Sequence, residues 1–241
     1  SDQPEMARRH AAIEPAAGET WRVSRVRSGG VDTVRLLLDR ADVGRLQPLL
    51  PALKAWQFGG TVSGETSIKR GPRETSVRAK LMFDAVRFVD ASGAHAGEKI
   101  AGTLTVDARQ QGSRWSWQGE LTWPKGEMYW APFYLASPGV AASASGSFDR
   151  AQVAVEALRI EGASLGQIEG RGSLDLRSKR IESASFSTGM LDLAQLAPSF
   201  IAPLLESVAG PELAWSGQAS LAGEIRDNAL ESANLALHGV G

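Results

Sequence analysis

The chain reads as mainly β with minor α: a long twisted antiparallel meander, able to form an open groove, with two short proline-broken helices. Three observations point there. Apolar and polar residues alternate with period two over much of the 241 residues, as they do in strands that hide one face. Clusters rich in glycine, proline and asparagine separate the alternating runs at short intervals, which joins neighbours as hairpins. Only two segments look helical instead, and each carries two prolines.

Residues 1–20 form a polar, proline-interrupted lead-in with freedom to move, and residues 21–241 form one continuous β-rich domain. Arg8 and Arg9 have no apolar run behind them, so the lead-in is not a signal peptide. The first helical segment, about 42–56, places Val43, Leu46, Leu50, Leu53 and Trp56 near one face. Asp42 is its natural N-cap, accepting backbone N–H bonds that the first turn leaves free. Pro48 and Pro51 lack the donor a helix needs, so the helix is expected to break. Next, Val77, Ala79, Leu81 and Phe83 alternate, after which the phase moves to Val86 and Phe88. A slip of one residue turns side chains over, which predicts a bulge near Asp84.

The alternation continues through Ile100, Leu104 and Val106, and is cleanest in Trp115, Trp117, Gly119, Leu121 and Trp123. Weaker runs pass through Val153 and Val155, and through Leu174 and Leu176. The second helical segment, about 191–205, carries Leu193, Leu196, Phe200 and Leu204 on one face, with Asp192 as N-cap and Pro198 and Pro203 as breaks. Trp215, Ala219, Leu221 and Ile225 then alternate, followed by Leu235 and Leu237. Turns are expected at residues 70–73, 91–94, 111–113 and 226–228. Asp42, Val43, Leu46 and Pro48 fall on Asp192, Leu193, Leu196 and Pro198 at a constant offset, and a tryptophan and a glycine-punctuated strand follow each helix. The domain therefore reads as a diverged repeat of helix followed by meander.

Composition narrows the function. With 26 Lys and Arg against 27 Asp and Glu, the chain lacks the basic surplus that phosphate neutralisation demands, so no nucleic-acid partner is expected. The charge is uneven: residues 1–120 hold 18 basic and 14 acidic side chains, residues 121–241 hold 8 and 13. No cysteine and only three histidines, His10, His95 and His238, leave little for thiolate or imidazole chemistry. Glu120 with Glu127, and Glu161 with Glu169, are the carboxylate pairs to weigh for glycoside hydrolysis. Solvated strand and turn charges account for both, with Glu127 expected in a turn after Pro124. Gly166–Gly172 matches no phosphate-cradling spacing, and His95 and His238 read as exposed. No catalytic residue, metal or cofactor is expected. No run approaches the ~20 apolar residues of a membrane-spanning helix. The abrupt end at Gly241 suggests an excised fragment.

An Asp-hydrophobic-x-x-Leu-x-Pro-Leu-Leu helix leading into long alternating strands resembles the AsmA-like proteins of Gram-negative envelopes, the group with the TamB- and YhdP-type bridge proteins. Residues 115–135, tryptophan-and-glycine strands closed by a Pro-aromatic pair, are similar in style. The likeness covers roughly residues 21–241 and lies in pattern and punctuation. It implies a periplasmic location, an inner-membrane anchor in segments outside this chain, and a repeating β-groove that holds acyl chains. Phospholipid, or another acyl-chain ligand, is then the expected partner, and an envelope protein a second one. The groove candidates are Leu104, Val106, Trp115, Trp117, Leu121, Trp123, Trp215, Leu221 and Ile225. A closed two-layer core would use the same side chains for a structural or protein-interaction domain, and periodicity alone does not separate the two.

Overall fold

Backbone pairing organises this molecule more than side-chain burial does. The computed structural model describes residues 18–46, 54–136, 139–162, 166–197, 200 and 215–240. In chain order they form β1 (Thr20–Ser28), β2 (Val31–Asp42), α1 (Val43–Leu46), β3 (Trp56–Arg70), β4 (Glu74–Asp90), β5 (His95–Gln111), β6 (Arg114–Trp130), β7 (Phe133–Ala136), β8 (Val140–Phe148), β9 (Gln152–Gly162), β10 (Gly166–Asp175), β11 (Arg180–Thr188), β12 (Leu191–Asp192), α2 (Leu193–Leu196), β13 (Gln218–Arg226) and β14 (Ala229–His238).

All these strands belong to one antiparallel sheet, ordered β1-β2-β3-β4-β5-β6-β8-β9-β10-β11-β13-β14, with β7 added beside β6 and β12 beside β13. The sheet is not closed into a barrel. Its order follows the chain because short turns can only return a strand beside itself. The turns fall where the glycine-bearing clusters predict: after Arg70, Asp90, Gln111 and Arg226. β1 and β2 are additional to the sequence reading, although Trp21 and Val23 already alternate with Arg22 and Ser24. β1 opens at Thr20, the last residue of the stretch read as lead-in; residues 1–17 lie outside the described residues.

The helices are shorter than the sequence reading. Only Val43–Leu46 and Leu193–Leu196 are helical among the described residues; Trp56 opens β3, and Leu191 and Asp192 still pair with β13. Residues 47–53 and 201–214, with Pro48, Pro51 and Pro203, lie outside the described residues, as does Pro198. Both N-caps form as expected. The Asp42 carboxylate accepts the Gly44 N–H at 2.7 Å, and Asp192 accepts those of Ala194 at 2.9 Å and Gln195 at 3.4 Å. Each helical turn sits between two antiparallel neighbours: Asp42 pairs with Thr61, and Asp192 with Gln218.

Deep burial is sparse. Leu38, Ala41 and Val62 form a small core beneath α1, with Trp21, Leu36, Val43 and Leu81 packed around it. Trp123, Val140, Leu193, Ala197 and Ala219 are the other buried apolar side chains among the described residues.

The predicted bulge is present and has company. The register of β4 shifts between Phe83 and Val86, where Ala85 has φ 48°. Left-handed residues also mark β2 at Arg40, β3 at Gly60, β5 at Lys99 and β6 at Gly126, so five neighbouring strands are bulged. Gly60 and Ala85 meet across this line: a Cβ on Gly60 would lie 2.5 Å from the Ala85 carbonyl oxygen. Glycine alone combines that φ of 92° with so close a backbone approach. The same irregularity overturns the turn expected after Pro124. Residues 124–127 stay within β6, because β8 pairs with it only as far as Trp123 and β7 only from Glu127. A proline without an N–H fits such a gap. We expect Gly60→Ala to lower stability by about 1–3 kcal/mol, read as a lower urea midpoint at unchanged m-value; an unchanged midpoint would mean that the bulge line relaxes freely.

Candidate functional site: an uncovered apolar face

Paired residues in an antiparallel sheet point to the same side, so the register sorts side chains into rows that cross the whole sheet. One row runs Val23, Leu36, Thr66, Ala79, Val106, Gly119, Ala144, Leu158, Gly170, Phe186, Gly223 and Ala233, each paired with the next. A second row runs from Trp21 through Leu38, Gly64, Leu81, Leu104, Leu121, Ala142 and Ile160 to Ile168. A third leaves Arg25 and passes Val34, Ile68, Val77, Ala108, Trp117, Gly146 and Val155 before Ile225 and Leu230. These three rows share one face, and it is apolar almost throughout. At ~4.8 Å per strand it extends roughly 50 Å across the sheet.

Eight of the nine groove candidates stand on this face. Leu104 pairs with Leu121, Val106 with Gly119, Trp117 with Ala108, and Trp115 stacks on Phe148 with ring centroids 5.9 Å apart. Leu221 pairs with Leu235, and Ile225 with Leu230, far along the same rows. The first group and the second therefore share a surface without touching. Trp123 is buried, its indole N–H donating to the Lys125 carbonyl at 2.8 Å. Trp215 is the exception: it precedes β13 in an irregular segment ended by Gly217 at φ 98°, so its alternation with Ala219 does not extend a strand.

Among the described residues no second layer packs on this face. Strands contact chiefly their ladder neighbours, α1 packs on β2 and β3, and α2 follows β12. Exposure is accordingly high towards the margins, 40% at Ile68 and 63% at Leu235.

The opposite face is polar, and sequence reasoning missed what it contains. Its row from Arg22 continues through Glu65, Lys80, Thr105, Glu120, Ser143, Arg159, Glu169 and Ser187 to Asn234. A cavity of about 930 Å3 lies along this side from β5 to β14. The groove candidates do not line it. Arg159 holds Glu161 on its own strand and Glu169 at 3.2 Å on the next, and Arg78 holds Asp107 at 2.7 Å. The spacing Arg159-x-Glu161 was the available signal, since residues two apart share a strand face. Such exposed pairs contribute at most about 1 kcal/mol each. Glu120 sits on the polar face as expected; Glu127 accepts the Tyr134 hydroxyl at 2.8 Å.

His95 is more engaged than the sequence suggested. Trp56, Phe58, Phe88 and Trp130 gather around it at the end of the sheet beyond the bulges, with Trp130 4.1 Å away between centroids. Its Nδ1 lies 2.8 Å from the Asp90 carboxylate, which also accepts the Ser92 hydroxyl at 2.6 Å. Those two donors, Ser92 first, hold the Asp90 carboxyl well below the usual carboxylate range. Among the described residues no cluster of His, Asp and Glu could hold a metal ion, and no helix is long and apolar enough to cross a membrane.

Comparison with protein-family models, curated proteins and solved structures finds no match.

The Asp90 turn has a definite acid signature. A carboxyl depressed in the folded state stabilises above its unfolded pKa of about 4 and loses that contribution as pH falls towards the lower folded value. Asp90→Asn should therefore lower the urea midpoint at neutral pH, and the gap to wild type should narrow on acidification below about pH 4. A gap that is constant with pH would remove the charge from the explanation.

Proposed function

We propose that this chain is a non-catalytic lipid-handling protein of the cell envelope that holds acyl chains against its apolar face. One observation supports the reading above others: the apolar rows run unbroken from β1 to β14, with no described layer over them. Apolar patches of such extent mark binding surfaces in soluble proteins. Each methylene removed from water contributes ~0.8 kcal/mol when fully buried, and about half of that on a one-sided surface, so a chain of a dozen or more methylenes would bind usefully. Small residues along the central row, Thr66, Ala79, Gly119, Ala144 and Gly170, leave a shallow lane between the larger side chains of the flanking rows. An acyl chain is the ligand that needs shape and apolar contact without hydrogen-bond partners, and this face offers the former and lacks the latter.

The likeness to AsmA-like envelope proteins adds a setting: the periplasm, with phospholipid as cargo and anchoring to the inner membrane through segments outside this chain. In that setting the wet polar face, with its paired Arg159, Glu161 and Glu169, keeps the sheet soluble while head groups stay in water.

The test is mass spectrometry of lipids that co-purify with detergent-free protein, comparing wild type, Trp117→Glu and Gln118→Glu. Trp117 and Gln118 are adjacent but face opposite ways. A carboxylate is costly to desolvate, so Trp117→Glu should carry at least about tenfold less phospholipid, a change worth ~1.4 kcal/mol, while Gln118→Glu should match wild type. Equal loss from both variants, or a folded wild type without lipid, would count against this face as the holding surface.

A further inference from the structure

The sheet has two ends, β1 and β14, and among the described residues neither has a partner on its outer side. Both carry exposed apolar side chains: Val23 is 68% exposed on β1, and Leu235 and Leu237 are 63% and 55% exposed on β14. Edge strands of this kind are templates for another strand unless lysine, proline or inward charge blunts them. β14 has no lysine, arginine or proline. β1 has Arg22, Arg25 and Arg27 and no acidic residue, so two β1 edges repel each other. Because strand order follows chain order, the basic surplus of residues 1–120 and the acidic surplus of residues 121–241 lie towards opposite ends of the sheet.

We propose that β14 of one copy pairs with β1 of the next, joining copies head to tail. The alternation of strand direction makes this contact regular. Twelve strands lead from β1 to β14 with every pairing antiparallel, so β14 runs opposite to β1. A copy displaced along the sheet therefore meets it as an antiparallel neighbour, apolar face on the same side. The rows agree as well. Val23 and Ala233 occupy one continuous row, so Val23 of the next copy falls opposite Ala233 without a register slip, and its Trp21 falls beside Leu235. Such a contact is heterologous and can propagate beyond a dimer. It lengthens the apolar face, yet it does not depend on lipid.

Sedimentation velocity on lipid-free protein over a range of concentrations tests it. Wild type should form oligomers that grow with concentration and weaken with salt. Val23→Lys, which adds charge to the basic edge, and Leu235→Lys, which makes the other edge basic, should each associate at least about tenfold less, ~1.4 kcal/mol. Mixed together, the two variants should regain a discrete heterodimer, because each keeps one working edge. Glu231→Lys, on an exposed position of β14, serves where Leu235→Lys loses its strand circular dichroism. A wild type that is monomeric throughout overturns the proposal. So does a Val23→Lys protein that dimerises as well as wild type, which would mean that β14 pairs with itself.

Discussion

Register is the constraint on which this structure depends. Side chains on a strand alternate, so a single unmatched slip between two strands would send an apolar row to the wrong side of everything beyond it. In this sheet the slips are matched. Bulges at Arg40, Gly60, Ala85, Lys99 and Gly126 occur on five successive strands, and the three apolar rows pass intact from β1 to β11 or beyond. Matched irregularity is what allows strands of up to 17 residues to change phase along their length without mixing their faces. Glycine or a left-handed residue is needed on each strand because the backbones approach too closely there for an ordinary extended residue.

A second consequence is that hydrogen bonds, more than a core, specify this fold. Eight apolar side chains are deeply buried among the described residues, and three of them form the patch beneath α1. The backbone ladder satisfies donors and acceptors within the sheet, while the apolar face retains free energy that only a further contact can release. Structure and function are coupled in that sense: the surface proposed to hold lipid is the face that a two-layer protein would have consumed in folding. The short helical turns cover only a margin of it, and their aspartate caps fix where each chain excursion begins.

The two faces also divide the electrostatic work. Charge is confined to the polar side, where cross-strand pairs such as Arg78 with Asp107 and Arg159 with Glu169 lie in water. On the apolar side the exception is the Arg25–Asp32 pair at the β1 margin, where the guanidinium and carboxylate remain near solvent and hold each other's charge. The aromatic group around His95 closes the far end of the long strands, a place where the phase change after Ala85 brings Phe88 to Trp56.

Much of this was legible in the sequence, because period two is a local property. The alternation of Trp115, Trp117, Leu121 and Trp123, the turns after Arg70, Asp90, Gln111 and Arg226, the bulge beside Asp84 and the caps Asp42 and Asp192 all follow from residues within a few positions of each other. The common face of Leu104, Val106, Leu221 and Ile225 follows from the same alternation once the strands are paired. Other features depend on partners distant in the chain. Trp215 alternates correctly yet lies outside β13, and Glu127 follows a proline yet lies inside β6, because pairing across the sheet decided both. Whether one layer or two would form, that Arg159 would bridge two strands, and that His95 would sit among four aromatic rings were likewise tertiary outcomes. Alternation determines which side chains share a face; only the assembled ladder determines what, if anything, that face meets.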